Sequence, residues 1–405
     1  VMRKMQGAAL AALLALAAGT AQAESTVRFW YHFDNPDNPV ADLVAKFEAA
    51  NPGVKVEAEN IPWNSYYDNL YTAIAGGNAP DAAMVKLFAQ PRLVEMGALE
   101  PIDDRVAGWD GKADLQDDLL KINGGPDGKQ YYLSVQYVVS YLYYRADLFA
   151  EAGLQPPKTC DDFAKAAKAL TRDTNGDGQP DIWGFGFRGG KGGYDHWGPF
   201  VLSAGAKFEK GGLTSQQVVA ANTWLVDLYR NQKLFPPSAP NDGFQEIIAA
   251  FQQGRTAMTI HHIGSSAGMV KALGDKVSAV PVPECNGGRW TSYGDESLAV
   301  LSSAEDKDAA WKWIAFLASG DANVEFNKAT GQLPVTKSGA ANWTLHEKRF
   351  VDATVQSLPF AHSLPAVSQT ADFVNTVWPA AMQRALTGEI TPEQMMQEIE
   401  QLYAP

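Results

Sequence analysis

The first residues that could do chemistry sit in one short run, Gly264-Ser265-Ser266-Ala267-Gly268. It fits G-x-S-x-G, the turn that exposes a nucleophilic serine between a strand and a helix. An apolar run precedes it and a helix-like run follows, as that motif requires. Asp306, His346 and His362 follow in the order of a Ser…Asp…His triad. No HGGG-type segment upstream supplies an oxyanion hole, so a serine hydrolase with Ser266 as nucleophile is the lesser reading. The neighbours Asp295 and Glu296 could be the paired acids of a glycosidase, but adjacent residues on a strand face opposite sides. The same alternation keeps His261 and His262 from sharing one metal. No H-E-x-x-H, G-x-x-x-x-G-K-[ST] or C-x-x-C occurs.

One further run is metal-like. Asp173, Asn175, Asp177 and Asp181 match positions 1, 3, 5 and 9 of a calcium loop, with Gly178 at 6. Position 12 is Gly184, which has no bidentate carboxylate. Either a structural Ca²⁺ site or a loop of Asx turns fits. No cofactor is required by any motif.

The elements that must position these residues alternate. Val27–Trp30 reads as a strand, and Val40, Leu43, Val44 and Phe47 then stripe one helix face. Asn51-Pro52-Gly53 stops that helix, and residues 54–57 alternate as a second strand. Residues 63–74 are helical again, 82–85 form a short buried strand, and a helix follows near 91–96. Such alternation implies an α/β fold with a mostly parallel sheet. Residues 133–144 are rich in β-branched and aromatic types, long for one strand and suited to crossing between lobes. Thr159-x-x-Asp162 is a capping box, and Thr214-x-x-Gln217 reads as another cap.

At 405 residues the chain exceeds one comfortable core, so two lobes are expected. Residues 1–23 read as a signal peptide: Arg3 and Lys4, an apolar run to Ala18, then Ala21-Gln22-Ala23. With no later spanning segment, the expectation is an exported, periplasmic protein. The formal charge is −13, and losing Arg3 and Lys4 makes it more negative. That surface repels nucleic acid and anionic membranes, so neither is an expected partner. Cys160 and Cys285 could pair after export; two buried thiols are the alternative.

Seven short segments, in order, carry a resemblance: Val27-Arg-Phe-Trp30, Phe47-Glu-Ala-Ala-Asn-Pro-Gly53, Gly77-Asn-Ala-Pro-Asp81, Leu142-Tyr-Tyr-Arg-Ala-Asp-Leu-Phe149, Pro156-Pro-Lys-Thr159, Phe251-Gln-Gln-Gly-Arg-Thr-Ala-Met258 and Thr330-Gly-Gln-Leu-Pro334. On these the chain resembles the periplasmic solute-binding proteins of carbohydrate ABC importers, the family that includes maltose-binding protein. Cys160 departs from the pattern, in which a tryptophan usually follows Pro-Lys-Thr. The resemblance implies a two-lobed periplasmic-binding-protein fold with a hinge and an interlobe ligand cleft. One lobe would hold 24–136 and 295–340, the other 137–294 and 341–405. It implies a monomer that binds a sugar or oligosaccharide and, by closing, presents itself to an ABC transporter permease. A binder of an acidic saccharide or glycerol-phosphate on the same scaffold is the alternative, for which Lys86, Arg188 and Lys191 would suit.

Ligands of open α/β sheets sit beyond the carboxyl ends of strands. That position selects Trp30, His32 and Asp34 after the first strand, Trp63 and Tyr67 after the second, and Lys86 and Phe88 after the third. Tyr137, beside Gln136, lies at the crossover. The second lobe offers Tyr194, Asp195, His196 and Trp197 behind a Gly-rich loop, then Tyr293, Asp295 and Glu296. In the resemblance the turn after Ile260 faces the cleft, which makes His261, His262 and Ser265 hydrogen-bonding candidates.

Overall fold

The computed structural model describes residues 25–33, 38–116, 119–341 and 343–404. The leader-like segment 1–23 and Asp34 therefore lie outside the described residues. Among the described residues ten strands form two sheets: β1 Ser25–Tyr31, β2 Val54–Asn60, β3 Ala82–Val85, β4 Leu133–Val139, β5 Tyr141–Arg145, β6 Met258–His261, β7 Val277–Val280, β8 Thr291–Val300, β9 Leu333–Pro334 and β10 Ala361–His362. The larger sheet has the order β2-β1-β3-β8-β4-β9, with β10 beside β8; the smaller has β6-β5-β7. Helices cover both sheets, giving two α/β lobes.

The expectation of a mostly parallel sheet needs correction. β2, β1 and β3 are parallel, but β8 runs antiparallel to both β3 and β4, and β9 antiparallel to β4. In the smaller sheet both neighbours of β5 are antiparallel. The physical reason lies in the connections. The first three strands are joined by the helices Val40–Ala50 and Trp63–Ala75, which force parallel neighbours. β8 and β4 instead pass between sheets and need no such return.

The twelve-residue run 133–144 divides at Ser140, with β4 in one sheet and β5 in the other. Two backbone-anchored bonds tie this passage to β8: Ser140 N–H donates to Ser292 O (3.2 Å) and Thr291 Oγ1–H to Ser140 O (2.6 Å). Beyond β9 the chain passes to helix Lys348–Ser357, whose Phe350 packs with Tyr143 and Val277 of the smaller sheet.

Each sheet has its own core. Val27, Phe29, Phe47, Leu298 and Trp313 fill one side of the larger sheet, and Tyr66, Tyr67, Leu70 and Leu93 the other. Phe163, Phe185, Trp197, Phe200 and Trp378 anchor the second lobe. Thr159 caps helix Cys160–Leu170 through the capping box read from sequence. Thr214 does not cap: helix Gln216–Arg230 starts after Ser215, and Thr214 binds the Glu400 carboxylate instead. Cys160 and Cys285 are joined by a disulfide, Cα to Cα 5.0 Å, because residue 159 bridges beside 284. No helix among the described residues is long and apolar enough to cross a membrane.

Candidate functional site

Between the lobes lies a cleft of about 950 Å³. Its first wall is set by the three parallel strands. β1, β2 and β3 end side by side, so His32, Trp63 and Lys86, the residues just past each strand, converge on one edge. This is the carboxyl-end position that parallel sheets offer to ligands. Trp63 leans on His32 (ring centroids 4.9 Å), Tyr67 (5.6 Å) and Phe88 (6.3 Å), and Lys86 Nζ sits 4.8 Å above its ring. Glu296 comes from β8, where Val85 pairs with Ser297. Lys86 Nζ forms an ion pair with Glu296 Oε1, and His32 Nε2 lies 3.3 Å from Oε2. Burial alone would raise the Glu296 carboxyl, but Lys86 and His32 outweigh it and hold it below the ordinary range.

The second wall comes from the smaller sheet. Segment 183–186 runs beside β6, and Arg188 emerges just beyond it. Its guanidinium is nearly enclosed by the turn that follows. Gly192 adopts φ +79°, and a Cβ there would stand 2.5 Å from Arg188 Nη2, so only glycine fits. Helix Tyr194–Val201 starts at the cleft. Tyr194 and Asp195 line it, whereas His196 and Trp197, the next positions around the helix, turn into the core. Trp197 is fully buried and donates Nε1–H to Asn222 Oδ1 (2.9 Å); His196 Nδ1 accepts from Arg188 N–H (3.2 Å).

At the end of β6 the Gly-Ser-Ser turn presents Ser265 to the cleft, with Oγ 2.8 Å from His261 Nδ1. His261 and His262 both line the cleft, because the strand ends between them and alternation no longer applies. His262 Nδ1 accepts from Gly264 N–H (3.2 Å) and lies 2.9 Å from Gln332 Nε2. Gly264 is required by that contact, since a Cβ would meet Gln332 at 2.2 Å. Burial pushes His261 down to about 3 and His262 well below its usual range, so both are neutral at pH 7.

Ser266 is 2% exposed and does not line the cleft. Its Oγ lies 2.9 Å from His346 Nδ1, but His346 Nε2 has no hydrogen-bond partner and so no orienting acid among the described residues. Asp306 caps helix Lys307–Leu317 by accepting from Asp308 and Ala309 N–H, and His362 lies on β10. The Ser…Asp…His order is therefore not a triad in space.

Of the remaining candidates, Tyr293 lines the cleft. Trp30, Tyr67 and Tyr137 do not: Trp30 packs against the Tyr66–Leu70 core, and the Tyr67 hydroxyl accepts from Lys86 N–H (2.8 Å). On β4, alternation gives Gln136 and Val138 to the cleft and turns Tyr137 away. Asp295 pairs with Tyr137 in the ladder, and its side chain is outside the described set. Sequence reasoning passed over Gln90, Phe244, Ser292 and Gln332 as cleft residues. Gln332 lies inside the Thr330–Pro334 segment already singled out, and Phe244 on a helix whose apolar stripe masked its exposed start. The Asp173–Asp181 loop is held by its own turns. Asp173 accepts from Gly178, Gly176 and Asn175 N–H, and Asp181 from Thr174 and Asn175 N–H. Among the described residues no group of three or more His, Cys, Asp or Glu is placed to hold a metal ion.

A model of the bacterial extracellular solute-binding protein family matches residues 34–324. A binding protein of Brucella abortus is 26% identical, aligned over 98% of this chain and 97% of its own length. The diacetylchitobiose binding protein of Streptomyces coelicolor is 26% identical over 74% of this chain and 70% of its own. Among solved structures, an ABC transporter solute-binding protein of Thermotoga lettingae bound with α-D-tagatose superposes with TM-score 0.81 at 24% identity, covering 94% of this chain and 100% of that one. The chain belongs to the bacterial extracellular solute-binding proteins.

Proposed function

We propose that this protein binds a sugar or oligosaccharide in the periplasm and delivers it, by lobe closure, to an ABC transporter permease. The observation that carries the reading is the cleft itself. Trp63, Phe88, Tyr194 and Phe244 give flat apolar surface for sugar C–H faces, and neutral histidines and amides surround them. Its volume is at the upper end of small-molecule sites, roughly 300–1,000 Å³. The saccharides named for the Streptomyces and Thermotoga relatives support the same class of solute. Closure would follow from a solute contacting both walls more fully in the closed state. On the same reading the protein is an exported monomer, and the disulfide and the leader-like run Arg3–Ala23 support the export.

A binder and not a hydrolase is favoured because Ser266 does not line the cleft and, among the described residues, no acid partners its histidine. A thermal-shift screen of the protein against mono- and oligosaccharides tests the reading, since a solute bound only to the native state raises Tm by mass action. At least one saccharide should raise Tm by several degrees. A flat response across the panel, or labelling of Ser266 by a serine-reactive phosphonate, would overturn it.

A further inference from the structure

Arg188 is the part of the cleft that a neutral sugar does not explain. The residue is 7% exposed, yet its side chain lines the cleft and its Nε has no hydrogen-bond partner. Among the described residues its one side-chain hydrogen bond runs from Nη2 to the Lys191 carbonyl, and the Phe244 ring stands 5.9 Å from Cζ. A cation taken out of water at a cost of several kcal/mol is ordinarily compensated by an anion in contact. On the first wall the buried Glu296 carboxylate is already paired with Lys86, and His32 Nε2 lies 3.3 Å from its other oxygen.

Asp195 and Glu246 lie in electrostatic range of Arg188, as do Tyr194, His196, His261 and His262. Neither acid forms an ion pair with it among the described residues. Burial also pushes the Asp195 carboxyl up, which weakens it as a counter-charge, and the histidines are neutral. Among the described residues the cleft lining carries Lys86, Arg188, Lys271 and Lys328 against Asp195 and Glu296, two positive charges in excess. The whole chain is at −13, so the cleft runs against the sign of its protein. Field lines focused in such a cleft favour an anion.

We infer that the solute carries an anionic group, a carboxylate or a phosphate ester on a saccharide, which seats on the Arg188 guanidinium. A planar guanidinium with free N–H groups matches either oxyanion. Gly192 leaves room for the guanidinium, and Gly193 for the Arg188 backbone carbonyl. This rests on the saccharide reading above and sharpens it to an acidic member of the class.

Isothermal titration and thermal shift at low salt decide the matter, with galacturonate against galactose and glucose 6-phosphate against glucose. One acidic sugar should bind at least tenfold tighter than its neutral counterpart, and the preference should shrink at high salt. Which acid wins separates the carboxylate from the phosphate source. Arg188→Gln should abolish the preference, bringing the acidic sugar down to about the affinity of its neutral counterpart. If a neutral sugar binds as tightly as its acid, the anionic inference falls and sugar binding stands. If no sugar of either kind binds, both fall. Should the substituted protein fail to fold, the acid–neutral comparison on the unaltered protein still decides.

Discussion

The two walls of the cleft handle charge in opposite ways. On the wall carried by the larger sheet, Lys86 and His32 both reach Glu296, and the aromatic group around Trp63 closes over them. On the wall carried by the smaller sheet, Arg188 forms no ion pair among the described residues, and the neighbouring histidines are kept neutral by burial. A compensated network is part of the fold's own stability, because removing one member strands the others. An uncompensated buried charge costs stability in the empty protein and is repaid when a solute arrives.

That contrast predicts unequal responses to equal substitutions. Lys86→Met leaves Glu296 buried with only His32 and should destabilise the empty protein by about 3–5 kcal/mol. Arg188→Met removes a buried charge that forms no ion pair among the described residues and should leave the empty protein's stability unchanged or raised. Urea denaturation of both variants without solute checks this. Similar losses in the two would dissolve the difference between the walls.

The second effect is set by pH. His261 and His262, with His196 behind them, are held neutral, so their folded values lie below the unfolded value near 6.5. The stability they leave intact is fully present above pH 6.5 and is lost as pH falls from there towards about 3, where His261 titrates. A fully buried histidine with so low a value costs about 2 kcal/mol at pH 5. Arg188 and Lys86 face these rings and push the same way, while Asp195, raised by burial, gains stability as it protonates and partly opposes them. Tm should therefore be flat from pH 8 to 7 and drop below 6.5, and His261→Gln should make the drop shallower. A Tm constant down to pH 5 would show that these rings are not held neutral.

The same two walls differed in how far they could be read from sequence. On the first wall a single rule, that ligands gather past the ends of parallel strands, was enough to pick His32, Trp63 and Lys86, because each follows a strand with a clear start and stop. On the second wall the rule was weaker. Tyr194 to Trp197 read as one cluster, yet about 100° of helix rotation per residue puts the first two in the cleft and the last two in the core. The direction of a helix relative to its lobe is a tertiary fact that four adjacent residues do not carry. Arg188 was named, with Lys86 and Lys191, as a charge that would suit an acidic saccharide. Its isolation depends on where every carboxylate ended up, which no local pattern records. The antiparallel course of β8 was hidden for the same reason, since its partners β3 and β4 are set by the passage between sheets.

The smallest effect lies at the rim, where the two regions touch. Arg92 of helix Gln90–Glu95 reaches Asp372 of helix Gln369–Asp372 at 2.6 Å and lies over the Tyr71 ring at 5.3 Å. Lys191 Nζ donates to the Asn64 carbonyl at 3.1 Å. Both contacts join elements of the larger-sheet region to elements of the smaller-sheet region, so each exists only while the lobes are together. Arg92 and Asp372 are more than one-third exposed, so their pair is worth at most about 1 kcal/mol. Any stabilisation specific to the closed state passes into solute affinity through the closure equilibrium. Asp372→Asn should thus weaken solute binding by no more than about fivefold, leave unfolding in urea nearly unchanged, and enlarge the radius of gyration of the unliganded protein in small-angle scattering. An affinity unmoved by Asp372→Asn, with scattering also unchanged, would mean that the rim pair does not discriminate between open and closed lobes. Closure would then be governed by the walls alone.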